Sequence, residues 1–181
     1  MITDKTTAKV PNASIYLASS NFPNLNEEQP KWIEEAIEAL NKNETIATIH
    51  NPWGNQYKDL LVSIDNQPID NGVDNFEWAQ KTFNADVNAV SKSTVGVFLI
   101  DVNNVDMGLF IEMGILVAQN KPIVVVMLDS EGTFEGEYEG NLMLTQAGTY
   151  FTKDIKDLED YDFNRTPGNT FTDLGNKFIV I

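Results

Sequence analysis

The sequence has no cysteine, one histidine (His50) and one arginine (Arg165) in 181 residues. The absence of cysteine excludes disulfides, thiolate catalysis and cysteine-based zinc sites. A lone histidine makes serine–histidine chemistry and histidine-rich metal centres poor fits, so neither a metal nor a cofactor is expected. Positive charge is also scarce: 12 Lys plus Arg stand against 27 Asp plus Glu, a formal net charge of −15. Such a surface repels nucleic acid and anionic membranes. The longest apolar runs, Val95–Ile100 and Ile123–Leu128, fall far short of the roughly 20 residues a spanning helix needs. The stretch from Met1 to Val10 carries no apolar core of a signal peptide. A soluble, cytoplasmic protein is expected. Apolar residues at 42% are enough for a globular core. The expectation is one domain over residues 1–181, with 1–12 loose and 152–181 an irregular tail. If the chain is an enzyme, carboxylates are the residues left to carry its chemistry.

Strands and helices alternate in the pattern of apolar residues. Ser14–Ala18 reads as a strand. Glu27 to Lys42 reads as a helix, because Ile33, Ala36, Ile37 and Leu40 recur at helical spacing. Thr45–Ile49 is a strand, and residues 51–73, with two prolines and two glycines, form a long loop. Asp74 to Val90 is a second helix, with Phe76, Ala79, Phe83, Val87 and Val90 as its apolar stripe. Thr94–Ile100 and Pro122–Leu128 are nearly continuous apolar strands, as in a sheet buried on both faces. Met107 to Gln119 is a third helix between them. Asp129–Gly140 is an acidic loop. Asn141–Gln146 forms a short helix, Thr149–Phe151 a short strand and Ile155–Leu158 a helical turn. The order implies an open, mostly parallel α/β sheet with helices on both faces. Ligands in such sheets bind beyond the carboxyl ends of the strands.

Three carboxylates stand out by position. Glu112 is the one ionisable side chain between Asp106 and Lys121, and it projects between Ile115 and Leu116. A buried, unpaired carboxylate is costly or changes its proton affinity. Glu112 is therefore a group that reaches water by its long stem, a structural hydrogen-bond partner, or a working carboxylate. Asp86 falls inside the apolar stripe of the second helix, unless that helix ends early and leaves it as a cap. Asp106 precedes the third helix as an N-cap residue would. Paired carboxylates at such a rim are the machinery of glycosyl transfer, in which one attacks the anomeric carbon and the other handles the leaving group's proton. Tyr16 by itself reads as core or sheet-edge packing, and His50, at a strand end, as structural.

The stretch Ser14 to Phe22, the tripeptide Asn55-Gln-Tyr57, the segment Thr82-Phe-Asn-Ala-Asp86-Val-Asn, the run Val105-Asp-Met-Gly-Leu-Phe-Ile-Glu112-Met-Gly and Gly140-Asn-Leu-Met143 resemble the nucleoside 2-deoxyribosyltransferases of lactic-acid bacteria. Tyr161-Asp-Phe-Asn164 extends the resemblance into the tail. It implies a flavodoxin-like α/β domain, assembly into a homohexamer, and transfer of 2-deoxyribose between nucleobases in nucleoside salvage. The Asn-Gln-Tyr tripeptide favours the branch that accepts both purines and pyrimidines.

The resemblance also implies residue roles. Glu112 matches the nucleophile, Asp86 the acid/base and Tyr16 the phenol that positions the nucleophile. Asp106 matches a residue that holds the sugar hydroxyls, Gln56 a base-contacting amide and Phe22 a wall of the base pocket. Asn141 and Met143 match residues lent by a neighbouring subunit. The tail departs from the pattern: it ends Asn176-Lys-Phe-Ile-Val-Ile181, where the family usually ends in an aromatic residue whose carboxylate reaches the site. Two other readings stay open: a hydrolytic N-glycosidase of deoxynucleosides or deoxynucleotides, and a non-catalytic flavodoxin-like binding module.

Overall fold

Five of the apolar runs pair into one sheet in the computed structural model of the chain. It describes residues 10–20, 30–52, 63–64, 67–68, 76–129, 138–140, 142–164 and 178–180. The elements are β1 (Ala13–Ser19), α1 (Lys31–Lys42), β2 (Ile46–His50), β3 (Ser63–Ile64), β4 (Gln67–Pro68), α2 (Phe76–Lys92) and β5 (Val95–Asp101). After these come α3 (Met107–Ala118), β6 (Ile123–Leu128), β7 (Tyr138–Gly140), α4 (Leu142–Ala147), β8 (Tyr150–Thr152), α5 (Asp157–Asp160) and β9 (Phe178–Val180). The main sheet runs β2-β1-β5-β6-β8, and every pair in it is parallel. Counted within that sheet the order is 2-1-3-4-5, the flavodoxin-like arrangement, and its switch point lies between β1 and β5. The carboxyl ends of those two strands border the crevice.

Strand alternation sorts the core into two layers. Ala13, Ile15 and Leu17 of β1 face one side, with Val95, Val97 and Leu99 of β5 and Val124, Val126 and Leu128 of β6. That side is covered by the buried stripe of α1 (Trp32, Ile33, Ala36, Ala39, Leu40) and by Leu158 of α5. Buried Asn43 ties this layer to the chain after α5. Its amide donates to the carbonyls of Leu158 and Tyr161, both at 2.7 Å, and its Oδ1 accepts from the Thr45 amide and hydroxyl. A buried polar side chain so fully bonded costs little.

Tyr16, Ala18, Phe98, Ile100, Val125 and Met127 face the other side, under Val90 of α2 and Leu109, Met113 and Leu116 of α3. Gly96 lets α3 come down onto β5, since a Cβ there would run into the side chains of Leu116 and Phe98. The helix stops at a left-handed residue, Asn120 (φ 54°). Lys121 N–H donates to the Leu116 carbonyl and Asn120 N–H to that of Val117, both at 3.0 Å, which is a Schellman ending.

Three expectations need correction. The long loop 51–73 contains a short antiparallel ladder, β3 with β4. The tail is not irregular throughout: β9 pairs in parallel with β7, the last residues of the acidic loop. Neither pairing leaves a local pattern, because each strand is only two or three residues long. The apolar stripe of α2 is covered only at its far end. Val90 is buried, but Phe76 and Phe83 are 64% and 58% exposed. Periodicity tells which face of a helix is apolar, not how far the sheet beneath it extends. Among the described residues no helix is long and apolar enough to cross a membrane.

Candidate active site

The site grows from α3. Asp106 caps it, its Oδ1 accepting from Gly108 N–H at 2.7 Å, as an N-cap carboxylate should. One and a half turns later Glu112 points toward the sheet, beside the buried Leu109, Met113 and Leu116. Below it lies Tyr16 of β1, fully buried. Its hydroxyl donates to Glu112 Oε1 at 2.6 Å, the short distance of a bond to an ionised acceptor. The two residues are 96 positions apart in the chain, and the β1–β5 crossover brings them together.

Burial pushes the Glu112 carboxyl up to about 7, and the charges of Asp86 and Asp106 add to that rise, while the Tyr16 hydrogen bond pulls it down. Tyr16 is driven far above its ordinary value by burial and by the charge of Glu112. The phenol therefore stays a proton donor at any working pH. Helix α2 runs past Asp86 to Lys92, so Asp86 is a mid-helix residue and not a cap. Burial raises its carboxyl to about 6. Two carboxyls close to neutrality in one place are suited to divide labour, one ionised and one holding a proton.

Asp86, Asp106 and Glu112 share a cleft of about 190 Å³ at the carboxyl ends of the strands. Phe83, Val87, Leu109 and Ile115 form its apolar walls, and Ser19 and Pro52 line the strand-end side. None of its described lining residues is basic, so nothing in it invites a phosphate. No group of three or more histidines and carboxylates among the described residues is arranged to hold a metal. Chemically, the cleft presents a buried carboxylate oriented by a phenol, a second carboxyl able to give and take a proton, and apolar walls.

Of the residues singled out from sequence, Tyr16, Asp86, Asp106 and Glu112 are brought together. Phe22, Gln56 and Asn141 lie outside the described residues. Met143 is placed elsewhere on this chain. It is 77% exposed on α4 and borders a separate apolar groove with Phe110, Met113 and Val117 of α3. His50, read from the sequence as structural, lies next to the site. It stands beside Tyr16, the two rings nearly parallel (10°) with centroids 5.7 Å apart. Its Nε2 is buried and makes no hydrogen bond among the described residues. Strand pairing was the signal that could have found it, since the two side chains are partners in register.

The chain is similar to known proteins over most of its length. A family model described as nucleoside 2-deoxyribosyltransferase matches residues 15–159. A nucleoside deoxyribosyltransferase from Limosilactobacillus fermentum is 37% identical over 169 residues, covering 92% of this chain and 96% of that one. The enzyme of the same description from Lactobacillus leichmannii is 30% identical over 160 residues, covering 86% and 93%. A solved structure of a 2-deoxyribosyltransferase from Bacillus psychrosaccharolyticus superposes with a TM-score of 0.62 at 27% identity, covering 86% of this chain and 96% of that one.

Proposed function

The chain belongs to the nucleoside 2-deoxyribosyltransferase family and is a pentosyltransferase; from that premise we propose that it moves 2-deoxyribose between purine and pyrimidine bases through a covalent intermediate on Glu112. The observation that carries this reading is the Tyr16–Glu112 hydrogen bond at 2.6 Å, with Asp86 on the wall of the same cleft.

In this reading the free Glu112 oxygen attacks C1′ of the deoxynucleoside. The glycosidic C–N bond breaks, and the departing base takes a proton from Asp86, because a nucleobase leaves poorly as an anion. The glycosyl–enzyme ester then waits for a second base. That base gives a proton to Asp86 and attacks C1′, and Glu112 is released. Two displacements on one carbon retain its configuration. The working form carries one proton on the carboxyl pair; burial lifts Glu112 the higher of the two, and the Tyr16 hydrogen bond favours the arrangement in which Glu112 is ionised and Asp86 holds the proton. Tyr16 orients Glu112 and favours its ionised form, offsetting the cost of burial. Asp106, with one oxygen spent on the helix cap, offers the other to a sugar hydroxyl.

Gln56 and Phe22 take the base in this proposal. Asn141 and Met143 complete the site of a neighbouring subunit in a homohexamer working in the cytoplasm. Support for an assembly comes from the uncovered apolar side chains on α3 and α4: Phe110, Val117, Leu142 and Met143 are 40–77% exposed. Single exposed apolar residues are ordinary, but a contiguous group marks a surface that is covered. A second subunit over the cleft would also keep water from the intermediate.

Incubation with deoxyuridine and adenine tests the reaction. Deoxyadenosine is the expected product. Free deoxyribose without deoxyadenosine would mean hydrolysis and sink the transfer reading. A one-deoxyribosyl mass increase mapped to Glu112, trapped with a slow substrate, tests the intermediate.

A further inference from the structure

We propose that His50 is a positioning residue, whose ring holds the Tyr16 ring in the plane from which the phenol reaches Glu112. The proposal rests on the reading of Glu112 as nucleophile only where activity is the readout.

Tyr16 sits on β1 between two register partners. On the β5 side the partner is Gly96, which has no side chain, and on the β2 side it is His50. Partners in register on adjacent parallel strands project to the same face, so His50 flanks the Tyr16 ring on the β2 side, while the side chains of Phe98 and Leu116 fold over Gly96 on the β5 side. The rings lie nearly parallel at 5.7 Å, the offset stack that aromatic pairs prefer.

The plane matters because a phenolic O–H lies in the plane of its ring. Rotation of the ring about its long axis leaves the oxygen in place but swings the hydrogen away from Glu112 Oε1. Hydrogen bonds weaken steeply with that angle. A flat neighbour fixes the plane, and a flexible aliphatic side chain of similar bulk does not. The titratable groups around this point are Tyr16 of β1, Asp86 of α2, Asp106 at the head of α3 and Glu112 of α3. Burial keeps His50 itself on the neutral side, so it adds no charge beside the bond it supports. Its Nε2 makes no hydrogen bond among the described residues, so the ring stack is the contact by which it meets Tyr16.

Two variants of the full chain separate bulk from flatness. His50→Leu keeps bulk without a plane, and His50→Phe keeps the plane without a nitrogen. For deoxyribosyl transfer from deoxyuridine to adenine, His50→Leu is expected to lower kcat about tenfold, in the range that misplacing a reacting group costs. KM should stay within about twofold, since neither His50 nor Tyr16 is placed to touch substrate. The acidic limb of kcat/KM moves to higher pH, because a weaker Tyr16 bond no longer pulls the Glu112 carboxyl down. His50→Phe restores both. A His50→Leu enzyme with an unmoved limb and unchanged kcat overturns the proposal. So does a His50→Phe enzyme as impaired as His50→Leu, which would mean that the nitrogen is in use. The flip rate of the Tyr16 ring by aromatic NMR reads the stack without reference to activity. It should rise in His50→Leu and not in His50→Phe, and an equal rate in all three proteins overturns the proposal. Transfer that survives Glu112→Ala would defeat the nucleophile reading alone and leave the ring-flip result standing.

Discussion

Helices α1 and α3 are both twelve residues long and lie on opposite faces of the same sheet, yet they use charge in opposite ways. α1 carries five charges (Lys31, Glu34, Glu35, Glu38, Lys42), all on exposed residues, while its apolar residues Trp32, Ile33, Ala36, Ala39 and Leu40 are buried. α3 carries one charge, Glu112, which points inward, while Met107, Phe110, Ile111 and Val117 are exposed. The first pattern is that of a helix between core and solvent. In the second, the charge is turned away from water and apolar side chains face it. In the proposed function the buried carboxylate does the chemistry and the apolar outer face meets a second subunit.

The contrast can be broken in four ways, taken from the largest effect down. Glu112→Ala should lower transfer by about 10⁴-fold or more, as loss of a nucleophile does, with the far-UV circular dichroism of the parent. Activity within tenfold of the parent would remove Glu112 from the mechanism. On α1 the cost moves from activity to stability. Leu40→Ala, at a fully buried position, should destabilise by about 3 kcal/mol in urea unfolding, with transfer per folded molecule unchanged.

The third test uses pH. Burial lifts the Glu112 carboxyl from 4.5 to about 7, so the folded state binds a proton that the unfolded chain has lost between those values. The stability from this group is full below pH 4.5 and is lost as pH rises through about 7. Glu112→Gln cannot ionise. It should therefore be more stable than the parent by about 3 kcal/mol at pH 8, the gain shrinking to about 1 kcal/mol at pH 5 and vanishing below pH 4.5. Glu38→Gln on the exposed face of α1 should stay within about 0.5 kcal/mol at both. The smallest effect on stability is expected from Val117→Lys on the outer face of α3. It should change the folded subunit by less than about 0.5 kcal/mol and shift sedimentation toward smaller species.

Much of this was legible in the sequence where a signal is local. The apolar runs of β5 and β6 and the periodicity of α1 place those elements to within a residue or a few, because burial on two faces or on one stripe writes directly into composition. Glu112 was legible for the same reason: a charge inside an apolar stripe breaks a local rule. The exposed half of α2 was not, since Phe76 and Phe83 look the same whether or not something covers them. Strand β9 was not, because three residues pairing with β7 leave no period to read. The contact of His50 with Tyr16 was not, because it is one of register between strands.

The crossover that assembles the site also sets when it can exist. β1 bonds to β5 through groups 80 residues apart, as between Ser14 and Thr94. During synthesis at about 5–20 residues per second, the strand that carries Tyr16 leaves the ribosome roughly 4–16 s before its central partner is made. For that interval one edge of the most apolar strand of the N-terminal third has no sheet to join. The period in which that strand edge is open therefore closes with the addition of β5, shortly before α3 and Glu112 are made.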